Sequence, residues 1–333
     1  MGGGGSYYDR DVTPRREVRS SGYSDRADKV FRKPKAERRC DPAMKPNRRI
    51  VCPPCSGALA IALDVTSSMG GLPRILYDKM PVVAGELLRQ KYLGVDPQIS
   101  IAAVGDVNSD IAPIQVADFS SPRELDSWLK RMLLERGGGG TGQESYEFAA
   151  YAYAEICDLN AAPQKVFIIT GDEDYYDVLE ESKLRQHFGG NPLAAFAPTV
   201  FDKLKSQFSG NVFHIHRKHR GRKEEKILRR WQNILGESRV IMLPEDMAIA
   251  DVVLGILALA TGGRTLSQYC AEMKNRDQTA ERIAEVEKSL SVLGPFKKKA
   301  KTGGTTATSD GPPDDKSAKT NPTKNTKNKP YQI

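Results

Sequence analysis

The chain has 333 residues, enough for one substantial hydrophobic core, and its 50 Lys and Arg exceed its 42 Asp and Glu by eight. That excess sits at the ends: the first fifty residues carry +7 and residues 297–333 carry +6, so residues 51–296 are acidic, near −5. The high isoelectric point therefore does not describe a basic folded domain, and both ends are too poor in apolar residues to offset their own ordering entropy by burial.

Residues 1–55 are accordingly predicted to be a basic, largely disordered arm that ends in Cys52-Pro-Pro-Cys55. No apolar stretch follows Met1, which predicts a cytoplasmic location without a secretory signal. Gly2 with Ser6 meets the minimal myristoylation pattern, as a glycine-rich start does by composition alone. From residue 58 onward, strand and helix patterns alternate. Residues 58–63 form a continuous apolar run, read as a strand buried on both faces. A helix follows with Ile75, Leu76, Met80, Val83, Leu87 and Leu88 on one face, Pro81 as an expected kink and Gly94 as its stop. Residues 99–104 and 114–119 read as two strands joined by a turn at Asn108-Ser109-Asp110, hence an antiparallel pair.

Ser121-Pro122-Arg123-Glu124 combines a capping box with proline at the first helical position. Residues 144–158 read as helix, 166–169 as strand, 173–198 as a long loop, 200–207 as helix, 212–215 as strand, 224–235 as helix and 240–243 as strand. Residues 247–260 are the longest apolar run, shorter than the roughly twenty residues a membrane span needs, and read as a buried helix. Leu266, Tyr269, Met273, Ala280, Ile283, Val286, Leu290 and Leu293 then mark an amphipathic helix over 265–296, with a break near Asn275 and its apolar stripe expected to pack on the parent domain. Residues 297–333 are predicted to be a disordered Lys-rich tail. The order predicts an α/β fold of the Rossmann-like, doubly wound type: a mostly parallel six-stranded sheet with one antiparallel strand near an edge.

In such sheets ligands bind at the carboxyl ends of the strands. Asp64, Thr66 and Ser68 follow the first strand, Thr141 follows a run of four glycines, and Asp172 follows the fourth strand. Two carboxylates and three hydroxyls offer only hard oxygen ligands, which suits a small divalent cation. Each residue also has a plainer reading, since Thr141 with Glu144 makes a capping box and Asp64 can cap a turn.

In order and spacing these residues resemble the metal-ion-dependent adhesion site of the von Willebrand factor type A domain, over about residues 56–264. That site uses Asp-x-Ser-x-Ser, a Thr after a Gly-rich loop and an Asp after the fourth strand. The resemblance implies Mg²⁺, or Mn²⁺ or Ca²⁺, with Ser68 and either Thr66 or Thr141 touching the ion and Asp64 and Asp172 binding it directly or through water. Thr66 replaces the commoner Ser and keeps the hydroxyl. Thr170-Gly171-Asp172 replaces Thr-Asp-Gly and shifts the acid by one place.

No base or nucleophile accompanies the set, so a binding module is expected rather than an enzyme. His187 is expected in a loop, His214 and His216 along a strand, and His219 in a basic turn. The resemblance implies that an Asp or Glu of a partner protein completes the cation's shell, with AAA+ ATPases or their clients as a partner class. Tyr175 and Tyr176, beside Asp172, are candidate contact anchors. The alternative is a nucleic-acid-associated protein that uses its basic tails and the cluster at 217–223. The Ro RNA-binding autoantigen pairs a similar domain with a helical repeat, which this chain lacks. Cys40, Cys52 and Cys55 are candidate zinc ligands, with Cys270 or a histidine as a fourth; a redox pair and free thiols are the other readings.

Overall fold

The computed structural model describes residues 39–135, 142–218, 224–261 and 263–294. Its six central strands are β1 (Gly57–Asp64), β2 (Pro97–Val104), β3 (Ile114–Val116), β4 (Lys165–Gly171), β5 (Val212–His216) and β6 (Val240–Met242). They lie in the order β6-β5-β4-β1-β2-β3, and every neighbouring pair is parallel except β2 with β3. This is the α/β architecture the alternating patterns predict, with the antiparallel strand at an edge. The chain moves outward from β1 through β2 to β3, then returns to place β4 on the other side of β1. The winding direction thus reverses between β1 and β4.

Residue alternation in β1 explains how the two layers of helices differ. Leu59, Ile61 and Leu63 face one layer, built on α1 (Leu72–Gln90), α2 (Leu125–Leu129) and α7 (Ile249–Ala260). Ala58, Ala60 and Ala62 face the other, built on α3 (Tyr146–Tyr151), α4 (Glu181–Phe188), α5 (Ala197–Gln207) and α6 (Glu224–Leu235). Small side chains on that face leave room for an aromatic layer. Tyr146, Phe148, Tyr153, Phe167, Phe201 and Trp231 fill it, and Tyr146 with Trp231, Tyr153 with Phe167 and Phe201 with Trp231 meet edge to face, as ring quadrupoles prefer.

Four parts of the chain depart from the sequence reading. Residues 39–55, assigned to a disordered arm, belong to the fold: Met44, Ile50 and Cys52 are buried, and Ile50–Val51 pairs in parallel with Cys157–Asp158. That pairing also ends the predicted 144–158 helix early, because Cys157–Asp158 is extended and the turn before it, Ala152–Ile156, is π-helical. The expected 173–198 loop contains α4, which places His187 on a helix, and a short antiparallel pair between Val178–Leu179 and Ala195–Phe196. The helix expected to end at Gly94 runs on past Pro81 and stops at Gln90, where Lys91 takes the left-handed conformation.

The C-terminal stripe forms two helices, α8 (Leu266–Asn275) and α9 (Ala280–Leu290), broken after Asn275. Tyr269, Met273, Val286 and Leu290 are buried in the same layer as α7. The Tyr269 hydroxyl donates to the Asp251 carbonyl, and Arg276 donates to Asp251 Oδ1 over 3.1 Å. The helices are therefore part of the domain's core. Gly2, the tails, Thr141, Arg220, Arg222 and Lys223 lie outside the described residues.

If α8 and α9 share that core, Leu290→Ala should lower stability by about 2–5 kcal/mol, the usual cost of such a truncation in a packed interior. Urea unfolding should still show one transition. A second, early transition with the main one unmoved would mean that these helices unfold on their own.

Candidate metal centre

β1 is buried along its whole length and delivers Asp64 to the carboxyl edge of the sheet. There the segment before α1 folds back on it. The Thr66 N–H donates to Asp64 Oδ1 over 2.9 Å, and the Thr66 hydroxyl donates to the same oxygen over 2.5 Å. The Thr66 and Ser68 hydroxyl oxygens are 3.1 Å apart, and Ser68 Oγ donates to Asp172 Oδ1 over 2.9 Å. Each hydroxyl gives its one hydrogen to a carboxylate, so four of the five sequence-selected residues converge in one chain of polar contacts that crosses from β1 to β4, its Thr66–Ser68 step being an oxygen–oxygen contact. The fifth, Thr141, lies outside the described residues.

The shifted acid does not break this convergence, and the glycine before it has a reason. A Cβ at Gly171 would lie 2.3 Å from the Tyr146 hydroxyl and 2.6 Å from its ring carbon. Only glycine lets Tyr146 enter, and Tyr146 donates its hydroxyl to Asp64 Oδ2. Both Asp64 oxygens are therefore oriented. The sequence reading missed Tyr146, for which no spacing rule exists; its position at the start of the helix after the glycine run was the sole signal.

The electrostatics are those of buried acids in excess. Burial, then the neighbouring Asp172, raises Asp64 from 3.8 to about 7, against the hydrogen bonds from Thr66 and Tyr146. Burial, then Asp64, Asp106, Asp110 and Glu173, raises Glu144 to about 10. Its Oε2 is buried with no hydrogen-bond partner among the described residues. Glu147 is also pushed well up by burial. A buried carboxylate is costly without an opposite charge, so this corner favours either protons or a cation.

The donor set fits a hard divalent cation better than a soft one. Among the described residues no three His, Cys, Asp or Glu side chains form a metal-binding group. An ion here would thus rest on two carboxylates, hydroxyls and water, as Mg²⁺ commonly does. The zinc alternative is not assembled: Cys40 packs in the layer of α1, whereas Cys52 and Cys55 pack in the opposite layer.

Two further expectations change. Tyr175 is not an exposed anchor; it is 6% exposed, its ring between Trp231 at 5.2 Å and Phe201 at 5.5 Å, beneath the Arg230 guanidinium. Tyr176 is half-buried and donates its hydroxyl to Asp106 Oδ1 over 3.1 Å, which ties the segment after β4 to the loop after β2. The three described histidines serve packing, and His219, expected in a basic turn, lies outside the described residues. His214 stacks on Trp231 and meets His216, whose other nitrogen is 3.1 Å from Glu224, and His187 lies edge-on to Phe148. In the 217–223 cluster, Arg217 is held by Asp246 and donates to the Ser68 carbonyl, so its guanidinium braces the loop that carries Ser68.

No known family's sequence profile matches the chain, and no curated protein sequence matches it either. Among solved structures it is similar to proximal thread matrix protein 1 from the mussel byssus, at 14% identity and a TM-score of 0.40, over 64% of this chain and 49% of that one. The open conformation of the pilus adhesin SpaC from Lactobacillus rhamnosus GG is similar at 9% identity and a TM-score of 0.42, over 66% and 31%. A von Willebrand factor type A protein from Catenulispora acidiphila is similar at 15% identity and a TM-score of 0.33, over 66% and 49%. The chain thus matches 31–49% of the length of these proteins.

Two outcomes follow from this geometry. Gly171→Ala should cost about 1–3 kcal/mol, as overpacking does, and most of that cost should vanish on a Tyr146→Ala background; additive losses in the double-mutant cycle would show that the two do not meet. In chelator, Asp64 binds a proton more tightly folded than unfolded, so its stabilising contribution is full below pH 3.8 and lost as pH rises through about 7. Wild type should therefore lose stability relative to Asp64→Asn across that window in urea titrations; parallel curves would contradict the buried-acid assignment.

Proposed function

We propose that this domain is a cation-dependent protein-binding module, its cation held by Asp64, Thr66, Ser68 and Asp172, with Thr141 as the fifth candidate from sequence. The single observation that supports this most is the hydroxyl chain linking Asp64 on β1 to Asp172 beyond β4, at the point where the winding of the sheet reverses. Ligands in open α/β sheets bind at such reversals. A bound Mg²⁺ would supply an electrophilic position for an incoming oxygen ligand. Here that ligand is a carboxylate of a partner protein.

The surroundings favour binding over catalysis. The Thr66 and Ser68 hydroxyls are already engaged with the two carboxylates, and His214 and His216 are enclosed by Trp231, Tyr146 and Glu224. On this reading the chain works as an intracellular adaptor, and the AAA+ ATPases or clients implied by the sequence resemblance are the partner class to test first. No helix among the described residues is long and apolar enough to cross a membrane, which is compatible with that setting.

Isothermal titration of the full chain with Mg²⁺ and Mn²⁺ should show one site, and Asp64→Ala or Ser68→Ala should weaken it by at least about tenfold, as losing an ion-orienting group does. Lys218→Ala should leave it unchanged. Equal affinity in wild type and Asp64→Ala would overturn the proposal.

A further inference from the structure

The geometry points to a second chemical site, independent of the first: Cys52 and Cys55 form a dithiol–disulfide couple, a modification site for small-molecule disulfide oxidants at the amino end of β1. Their sulfurs are 3.7 Å apart, and among the described residues, which include all five cysteines, this is the one pair of cysteine sulfurs in contact. Closing the bond to the usual length of about 2.05 Å asks each sulfur to move by roughly one ångström.

The backbone on both sides is already fixed. Cys52 is 1% exposed and its N–H donates to the Asp158 carbonyl over 2.8 Å. After Cys55, the Ser56 N–H donates to the Asp96 carbonyl over 3.0 Å and its hydroxyl to the Leu93 carbonyl over 2.7 Å. Pro53 and Pro54 between them each lock one backbone dihedral, so the tetrapeptide has few conformations in which to lose the contact. Little ordering remains to be done when the bond forms. The other thiols are differently placed: Cys157 is buried in the neighbouring strand, and Cys40 packs on the opposite layer.

Exposure sets the order of events. Cys55, the more accessible thiol, attacks as thiolate one sulfur of the small disulfide, forms a mixed disulfide at its Sγ and expels one small thiolate. Cys52 then attacks Cys55 Sγ, forms the Cys52–Cys55 bond and expels the second. Two protein thiols are oxidised, one small disulfide is reduced to two thiols, and the two protons released are taken up by the departing thiolates. Burial, then the neighbouring Cys55, pushes the Cys52 thiol up, in keeping with Cys52 acting second and not as the first nucleophile.

β1 separates this site from Asp64 by about 25 Å at the usual rise per residue, so the two sites are testable independently. The full chain is equilibrated with oxidised and reduced glutathione, and thiols are counted and mapped by mass spectrometry after denaturation. Wild type should lose two of its five thiols together, with an internal bond at 52–55 and no glutathione attached. Cys52→Ser should stop at a glutathione adduct on Cys55, and Cys157→Ser should behave as wild type. Glutathione retained on wild-type Cys55, a Cys52–Cys157 bond, or five free thiols in the most oxidising buffer would each overturn the proposal. Cation binding should be the same in both redox states, so a negative result in the titration of Asp64 leaves this test unaffected.

Discussion

A carboxylate buried at the end of a buried strand is the constraint from which the rest of this molecule follows. Asp64 has no exposure, and β1 before it is covered on both faces, so the side chain cannot turn out to solvent. Every oxygen it carries must be satisfied by something built for the purpose. Thr66 serves one oxygen twice and Tyr146 serves the other. Each of these partners imposes its own demand: Thr66 requires the segment after β1 to fold back, and Tyr146 requires a residue without a Cβ at position 171.

Those demands explain why a shift of one residue in the acidic motif is tolerated. Placing glycine at the end of β4 admits the tyrosine, and Asp172, one place further, still meets Ser68. At the same corner burial, then Asp172, raises the proton affinity of Asp64, and burial, then Asp64, Asp106, Asp110 and Glu173, raises that of Glu144. A structure that concentrates acids in its interior gives up stability there. The proposed cation would offset that concession.

How far the sequence revealed this depends on the kind of signal each part sends. β1 was legible because a strand buried on both faces is a continuous apolar run, and the meeting of Asp64, Thr66, Ser68 and Asp172 was legible because each follows the carboxyl end of a strand and β1 and β4 are neighbours. Tyr146 and Gly171 were not, since their relation is a steric fit between residues twenty-five positions apart that share no periodicity. Tyr175 was misread for a related reason: proximity to Asp172 in sequence says nothing about which way its ring turns, and it turns into the aromatic layer beside Trp231. α4 escaped because its eight residues, Glu-Ser-Lys-Leu-Arg-Gln-His-Phe, bury just Leu184 and Phe188, too few for a helical stripe to stand out. The ordered part of the N-terminal arm escaped because its apolar residues, Met44 and the short run Ile50-Val51-Cys52, stand among polar and proline residues, and Ile50 to Cys52 pair with Cys157–Asp158, more than a hundred positions away.

The central claim is that Asp64, Thr66, Ser68 and Asp172 surround a cation. Crystals grown with Mn²⁺ and measured for anomalous scattering test it most directly. The account predicts one strong peak at the carboxyl edges of β1 and β4, within bonding distance of the Ser68 hydroxyl and adjacent to the carboxylates of Asp64 and Asp172. A crystal with Mn²⁺ bound elsewhere, or with the hydroxyl chain intact and no peak beside it at saturating Mn²⁺, would contradict it.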